Sequence, residues 1–467
     1  MIHARCAAGL ALALVLAFCL AGCTTMIPHY LRPAAPVAAD YPGAAATPAP
    51  TATAASDIEW QSYFGDARLK RLIELALQYN RDLRVSVLNI EQARAQYRVR
   101  RADELPSVGI GVSGSRQPDQ GGGIASVYSA GLSVTAYELD FFGRVRSLSS
   151  GALAQYLGTE EARKNVQIAL ISAVATTYLN LLADDDVLAV TRSTLITRED
   201  SLKLTKLKFD VGAASELDYR QAESLLEGAR AALAQSIRQR ALDENALVLL
   251  LGQPLPADLP QGLGIASQAL INELPAGVPS EVLVRRPDVR AAEQQLIAAN
   301  ANIGAARAAF FPRITLTGSA GSASNQLSGL FKSGSSAWTF MPQLLLPIFD
   351  AGRNQANLDL AKVNRDIALA QYEKAIQTAF REVADSLAGR ATLGEQLRAQ
   401  QAQANAEAVR FKLADLRYRN GAASYLDVLD AQRSLFAAQL ALVQAQAQQV
   451  QNQVGLYKAL GGGWKTP

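Results

Sequence analysis

Two stretches, 144–210 and 353–418, contain no proline and are rich in Ala, Leu, Gln and charged residues. Small apolar residues recur in them at spacings of three and four, as in ALISAVATTYLNLLA (169–183). That period predicts α-helix with coiled-coil-like packing. At about 1.5 Å per residue, a helix of about 66 residues would be about 100 Å long, well beyond a globular domain. Each is followed by a second periodic run, 216–251 and 424–459, expected to return antiparallel to it.

Four shorter stretches alternate instead. SVGIGVSGS puts Val108, Ile110 and Val112 on one face, and VYSAGLSVTAY puts Tyr128, Ala130, Leu132, Val134 and Ala136 on one face. RITLTGSA sets Ile314 and Leu316 against Thr315, Thr317 and Ser319, and AWTFMPQLL groups Trp338, Phe340 and Leu344. These predict strands near 107–117, 126–137, 313–321 and 336–346, about the length a tilted strand needs to cross a bilayer. The alternative is a soluble four-stranded sheet half-buried against helices. Against it, the non-apolar faces are small and uncharged, and the tips RQPDQGGG and NQLSGLFKSGSS are long and glycine-rich. In lipid only a closed barrel satisfies strand backbones, and known single-chain barrels start at eight strands. Several copies must therefore share one wall: two would leave little lumen, and three would give twelve strands and a pore.

The layout occurs twice. Asp82-Leu-Arg pairs with Asp288-Val-Arg, and Leu105-Pro106 with Phe311-Pro312. Asp140-Phe-Phe-Gly-Arg pairs with Asp350-Ala-Gly-Arg, and Gly-Ala-Ala-Ser-x-Leu-Asp at 212 recurs at 421. Ordered anchors at a nearly constant offset argue for a duplicated unit. The repeats are expected over 60–264 and 265–467, separated by a proline-rich connection holding Pro254, Pro256, Pro260, Pro275 and Pro279. The fold class expected is an α+β membrane protein.

Composition narrows the chemistry. The formal net charge is +3, from 45 basic and 42 acidic residues, with no basic stripe to support nucleic-acid binding. The two His and three Cys all lie within the first 29 positions. A zinc site, a Ser-His-Asp triad or a Cys-His pair cannot be assembled from the rest, which points away from an enzyme. The N-terminus has one charge, Arg5, then an apolar run and Leu-Ala-Gly-Cys, the layout of a secretory signal. LAGC (20–23) resembles the bacterial lipoprotein lipobox, which implies a signal peptide over 1–22 and acyl chains on Cys23. The Pro/Ala/Thr tract beyond it has little to bury, and 23–59 is expected to be a lipidated, extended tether.

Together these features resemble the TolC-type outer-membrane efflux channels, in particular their OprM/NodT lipoprotein branch. The residues that carry the resemblance are LAGC, ELDFFGR (138–144), RRPDVRAAEQQL (285–296), AAFFPRITLTGSAG (308–321), LPIFDAGR (346–353), YLDVLDAQRSLFAAQ (425–439) and LYKALGGGW (456–464). It implies a homotrimer with a twelve-stranded barrel in outer-membrane lipid and a long α-helical coiled-coil periplasmic tunnel. It also implies a periplasmic membrane-fusion adaptor and an inner-membrane RND pump as partners, with no cofactor and no metal. The channel would be a passive exit duct for drugs and other amphiphiles. A type I protein-secretion duct and a structural coiled-coil lipoprotein without a pore are the alternatives.

The repeated turn divides into structure and function. Gly212 and Gly421 suit the left-handed residue just past a helix end. Ser215 and Ser424 suit N-caps, with Asp218 and Asp427 at N3 of a capping box. Beyond the shared Asp the copies diverge, Asp427-Val-Leu-Asp430-Ala-Gln-Arg433 against Asp218-Tyr-Arg-Gln221. The resemblance places Leu426, Asp427, Asp430 and Arg433 at a periplasmic gate. It makes the turns Gly212, Ala213, Ala214, Ser215 and Gly421, Ala422, Ala423, Ser424 the adaptor contacts. Leu426, Asp430 and Arg433 stand at i, i+4 and i+7, one helix face. A solvated Asp430–Arg433 pair within that helix is the local alternative.

Overall fold

A computed structural model of the chain describes residues 25–42, 55–119, 121–268, 270, 274, 282 and 284–465. Cys23 and the segment before it lie outside the described residues, as does much of the proline-rich connection. Helices α1 (Ala67–Tyr79) and α2 (Arg81–Ala102) lead into β1 (Val108–Pro118) and β2 (Ile124–Leu139). The long α3 (Arg144–Asp210) and α4 (Glu216–Leu251) come next. The order then recurs as α5 (Pro287–Ala308), β3 (Arg313–Ser324), β4 (Ser336–Leu345), α6 (Arg353–Arg419) and α7 (Tyr425–Ala459). The compact units cut across this duplication. One gathers 88–161 and 290–375 with the N-terminal segment to 35; the other gathers 36–87, 162–289 and 376–467. Each draws on both halves because an amphipathic repeat cannot bury its own apolar stripe.

The first unit holds one antiparallel sheet in the order β1-β2-β3-β4. Its register sorts side chains into two faces. Ile110, Leu132, Ala320 and Trp338 form one cross-strand row, and Val108, Val134, Gly318 and Phe340 the next. The opposite face carries Gly109, Ser133, Ser319 and Thr339, with Ser319 and Thr339 hydroxyls 2.7 Å apart and Ser113 and Ser129 2.8 Å apart. The apolar face is uncovered: Ile110 is 83% exposed and Trp338 77%. A soluble sheet half-buried on helices is thereby excluded, since β1 is exposed at every residue. The backbones approach closely where Gly131 faces Gly321. A Cβ on Gly131 would lie 2.4 Å from the Ala320 carbonyl oxygen. One expectation changes: Ala136 does not continue the apolar row. A bulge between Val134 and Tyr137 gives it φ 52°, and Tyr137 and Leu139 take the apolar positions beside Leu316 and Ile314. The bulge also brings Glu138 onto the polar face, level with Thr315 and Gln343.

The N-terminal segment departs from an extended tether. Tyr30 and Arg32 reach the buried Glu293 of α5, Arg32 by two bonds of 2.7 and 2.8 Å and the Tyr30 hydroxyl at 3.1 Å. Asn300 donates to the Pro28 carbonyl at 2.8 Å, and Gly304 leaves room for Ile27. Composition counted the few apolar side chains here; the segment is held by polar groups instead.

In the second unit the periodic stripe of α3 becomes core. Leu170, Ile171, Val174, Ala175, Tyr178 and Leu179 are buried, alternating steps of one and three along the helix. A window of α3 is apolar and long enough for a membrane helix, but half of it is buried within the protein. Tyr63 stacks on Tyr457 with ring centroids 4.0 Å apart. Asp66 caps α1 through the Arg68 and Leu69 N–H groups and accepts from Tyr178, Leu263 and Gln268. Burial alone would raise the Asp66 carboxyl, but the bonds from Gln268, Leu263, Arg68 and Leu69 outweigh it and hold it below its ordinary value. Two of the most specific sequence motifs meet here. Arg286 of RRPDVR binds Asp288 at 2.6 and 3.0 Å, Glu382 at 2.8 Å and the Ala459 carbonyl of the YKALGGGW stretch at 2.6 Å.

The Asp184 carboxyl of α3 lies against Asp243 of α4. Burial, then the neighbouring Asp243, push it up to about 7. Between an unfolded value near 4 and a folded value near 7, the native state binds more protons than the unfolded chain. Stability therefore falls as pH rises through that window. Asp184→Asn is expected to remove this slope, gaining about 1 kcal/mol at pH 8 after solvent screening, or roughly 2–4 °C in melting temperature, with little change at pH 4. Circular-dichroism melts at the two pH values check it.

Candidate functional site

Both helical turns close by the same backbone device. In the first, the Gly212 N–H donates to the Phe209 carbonyl at 2.9 Å and Ala213 N–H to Lys208 at 2.7 Å. In the second, Gly421 donates to Tyr418 at 3.1 Å and Ala422 to Arg417 at 2.8 Å. This six-to-one, five-to-two pairing is the Schellman motif, and it needs a left-handed residue after the cap; Gly212 has φ 75° and Gly421 φ 71°. The next helix starts at once. Asp218 accepts from Ser215 N–H at 3.2 Å and from its hydroxyl at 2.8 Å, while the Asp218 N–H donates back to the hydroxyl at 3.1 Å. Asp427 likewise accepts from Ser424 N–H at 3.2 Å and its hydroxyl at 3.1 Å. Gly212, Ala213, Ser215, Gly421, Ala422 and Ser424 are exposed, with Ala214 and Ala423 half-buried. The turns present small side chains and bare backbone to whatever lies beyond them.

Past the shared capping box the two copies part. Tyr425, Val428 and Leu429 turn inward and pack with Ala222, Leu225 and Tyr418. Ser201 and Tyr425 hydroxyls lie 3.3 Å apart, and the Lys208 ammonium sits 3.7 Å above the Tyr418 ring. With that face committed, α7 leaves Leu426, Asp427, Asp430 and Arg433 on its exposed side; Leu426 is 60% exposed. The four sequence-predicted gate residues thus share one side of the helix, and the seven-residue spacing is the reason.

The local alternative does not form: Asp430 does not pair with Arg433. Its carboxylate is taken by Arg410 of α6, which also holds Glu407 at 3.1 Å and reaches the Ser434 hydroxyl at 3.3 Å. Arg433 has no ion-pair partner among the described residues; its charged neighbour is Arg198. That guanidinium is buried, donates to the Leu225 carbonyl at 3.0 Å and lies 5.2 Å from the Phe436 ring. Burial, then repulsion from Arg433, lower its pKa. Sequence reasoning missed Arg410 and Arg198. A signal for Arg410 existed: residues 410 and 430 are equidistant from Asn420 in the turn, so an antiparallel hairpin sets them opposite one another. Arg198 carried none, because α3 meets α7 only through tertiary packing. Beside these groups, Asp200, Ser201, Asp415, Tyr418, Arg419 and Gln432 line a polar cleft of about 380 Å³.

The sequence matches the family described as "Outer membrane efflux protein" over residues 72–253 and 278–462, one segment in each half. It is 50% identical to the solvent efflux pump outer membrane protein SrpC of Pseudomonas putida, over 95% of this chain and 96% of that one. It is 51% identical to the antibiotic efflux pump outer membrane protein ArpC of Pseudomonas putida, over 96% and 94% of the two chains. Among solved structures it is similar to the open state of the Neisseria gonorrhoeae MtrE outer membrane channel, with 43% identity, a TM-score of 0.86, and 95% and 99% of the two chains covered.

Proposed function

The chain belongs to the outer membrane efflux protein family, and we propose that three copies form the exit duct of a tripartite efflux system. The outer membrane is its location and efflux its process. The observation that carries the trimeric reading is the sheet. It has one uncovered apolar face, one small hydroxyl-bearing face and, among the described residues, two unpaired edges at β1 and β4. Such a sheet is stable in lipid only when its edges are joined, and three copies supply twelve strands. The apolar rows then face lipid, and the Ser, Thr and Gly rows face a lumen that imposes little charge selection. Acyl chains on Cys23 would add a second hold on the membrane, each buried CH₂ contributing about 0.8 kcal/mol.

At the helical turns the reading assigns two jobs. The exposed turns at 212–215 and 421–424 take a periplasmic adaptor, which brings an inner-membrane pump of the RND class into line. Their small side chains let another helical hairpin approach closely. The exposed side of α7 is the gate. Asp430 is braced within its own chain by Arg410, so the contact between chains falls to Arg433, pushed outward by Arg198 and free of an internal carboxylate among the described residues. Asp427 and Asp430 from three chains place carboxylates around the aperture, a ring that favours cations and can be latched by arginine. SrpC is named for solvents and ArpC for antibiotics; apolar and amphiphilic organic compounds are the proposed cargo.

Deletion of the gene in its host, followed by susceptibility tests with solvents, dyes and antibiotics, is expected to lower the tolerated dose of several. Tolerance should return with the intact chain. No change for any compound, in a host lacking other such ducts, would remove the assignment.

A further inference from the structure

A second divergence between the repeats lies where the strands meet the long helices. Asp140-Phe-Phe-Gly-Arg and Asp350-Ala-Gly-Arg perform the same backbone task. Asp140 accepts the Arg146 N–H at 2.8 Å and Asp350 the Asn354 N–H at 2.8 Å, and Gly143 and Gly352 take φ 73° and 84°. Each motif ends in the arginine that begins a long helix, Arg144 or Arg353. In the first copy a carboxylate stands two residues before the Asp: Glu138 holds Arg144 by bonds of 2.8 and 2.7 Å. In the second copy that position is Ile348, and Arg353 has no hydrogen-bond or ion-pair partner for its guanidinium among the described residues.

Arg353 is not isolated in space. It lines a cleft of about 250 Å³ with Glu138, Arg144, Arg313, Phe142 and Phe311. Glu138 is saturated, because Arg313 also binds it at 2.7 Å, and Asp140 is engaged by Arg146. Three guanidiniums thus share the cleft with two carboxylates that are both already occupied. The Phe142 and Phe311 rings stack there at 4.8 Å, with Phe311 41% exposed. The sheet residues that contribute charge, Glu138 and Arg313, sit on its polar face with Thr315 and Gln343.

We propose that this cleft binds an amphiphilic organic anion: its carboxylate, sulfonate or phosphate engages Arg353 and the free side of Arg313, and its apolar body lies on Phe142 and Phe311. The planar guanidinium fork suits an oxyanion, and the aromatic floor suits the body. This deepens the duct reading and rests on it, since the polar face is then the lumen. The site makes the duct wall a way-station for anionic cargo, three per trimer, where the rest of the sheet's polar face is neutral.

The probe is 1-naphthalenesulfonate, with 1-naphthalenemethanol as the uncharged match and inorganic sulfate as the anion without a body. Calorimetry on the full-length protein in a neutral detergent is expected to detect saturable sulfonate binding, much weaker sulfate binding and none of the alcohol. Arg353→Gln is expected to weaken the sulfonate about 10-fold or more, as loss of a charged hydrogen bond does. Arg353→Lys recovers part of it, while Arg238→Gln, on the exposed face of α4, leaves it unchanged. Equal affinity in the parent and in a trimeric Arg353→Gln would overturn the proposal, as would equal binding of the alcohol. The same sulfonate should block single-channel current in planar bilayers, with the same ranking of variants. A protein that conducts but binds no sulfonate disproves the site alone. One that binds sulfonate without conducting keeps the site and disproves the duct.

Discussion

Arg433→Ala is expected to open the channel. In planar bilayers, the variant should show higher single-channel conductance and an open fraction raised roughly tenfold or more, because the proposed gate loses one arginine in each of three copies and small pair energies combine. Arg433 is exposed on α7, faces a like charge in Arg198 and has no internal carboxylate among the described residues. In the proposed gate it is therefore the group left to reach an acid of the next chain. Asp430→Ala and Arg410→Ala act differently, since these two residues pair within one chain. Both should loosen the α6–α7 hairpin and raise conductance, and the double variant should differ little from either alone. Arg198→Leu, which removes the repulsion behind Arg433, should move conductance far less than Arg433→Ala. Unchanged conductance in Arg433→Ala, with trimers intact on a gel, would take that residue out of the gate.

The second large effect concerns stability. Arg286→Ala is expected to cost about 3–5 kcal/mol, the usual penalty for removing one member of a buried ionic network. The arginine ties Asp288 and Glu382 to the Ala459 carbonyl at the end of α7 and is almost fully buried. Its loss leaves Glu382 and the Ala459 carbonyl without this donor and, among the described residues, Asp288 with the Val289 N–H alone. Arg286→Lys should be intermediate, because an ammonium keeps the charge but cannot serve three acceptors with a planar fork. The temperature at which the trimer dissociates on a semi-native gel is the measurement. An unchanged value for Arg286→Ala would mean that the network contributes nothing to the assembled state.

Where the period was long and unbroken, the chain was legible on its own. The absence of proline over 144–210 and 353–418 led directly to α3 and α6, because only a helix satisfies so many backbone groups within one segment. Alternation placed Ile314, Leu316, Trp338 and Phe340 on one face, and the register agrees. It failed at Ala136, where a bulge costs one residue of register and no side-chain pattern announces it. Composition, which counts apolar groups, does not show how Arg32 and Tyr30 grip Glu293.

At the turns, local rules reached as far as local chemistry does. Gly212, Ser215 and Asp218, and their counterparts Gly421, Ser424 and Asp427, bond within a few residues of themselves, so spacing alone assigns their roles. The sequence by itself determined those caps, the helices, the faces of the strands and which residues of α7 share a side. Tertiary structure decided which charge meets which: Asp430 with Arg410, Arg433 beside Arg198, Glu138 shared by Arg144 and Arg313 while Arg353 stands unpaired among the described residues. The physical reason is range. A cap or a helical period is set within a few residues, whereas an ion pair depends on which distant elements packing brings within about 4 Å.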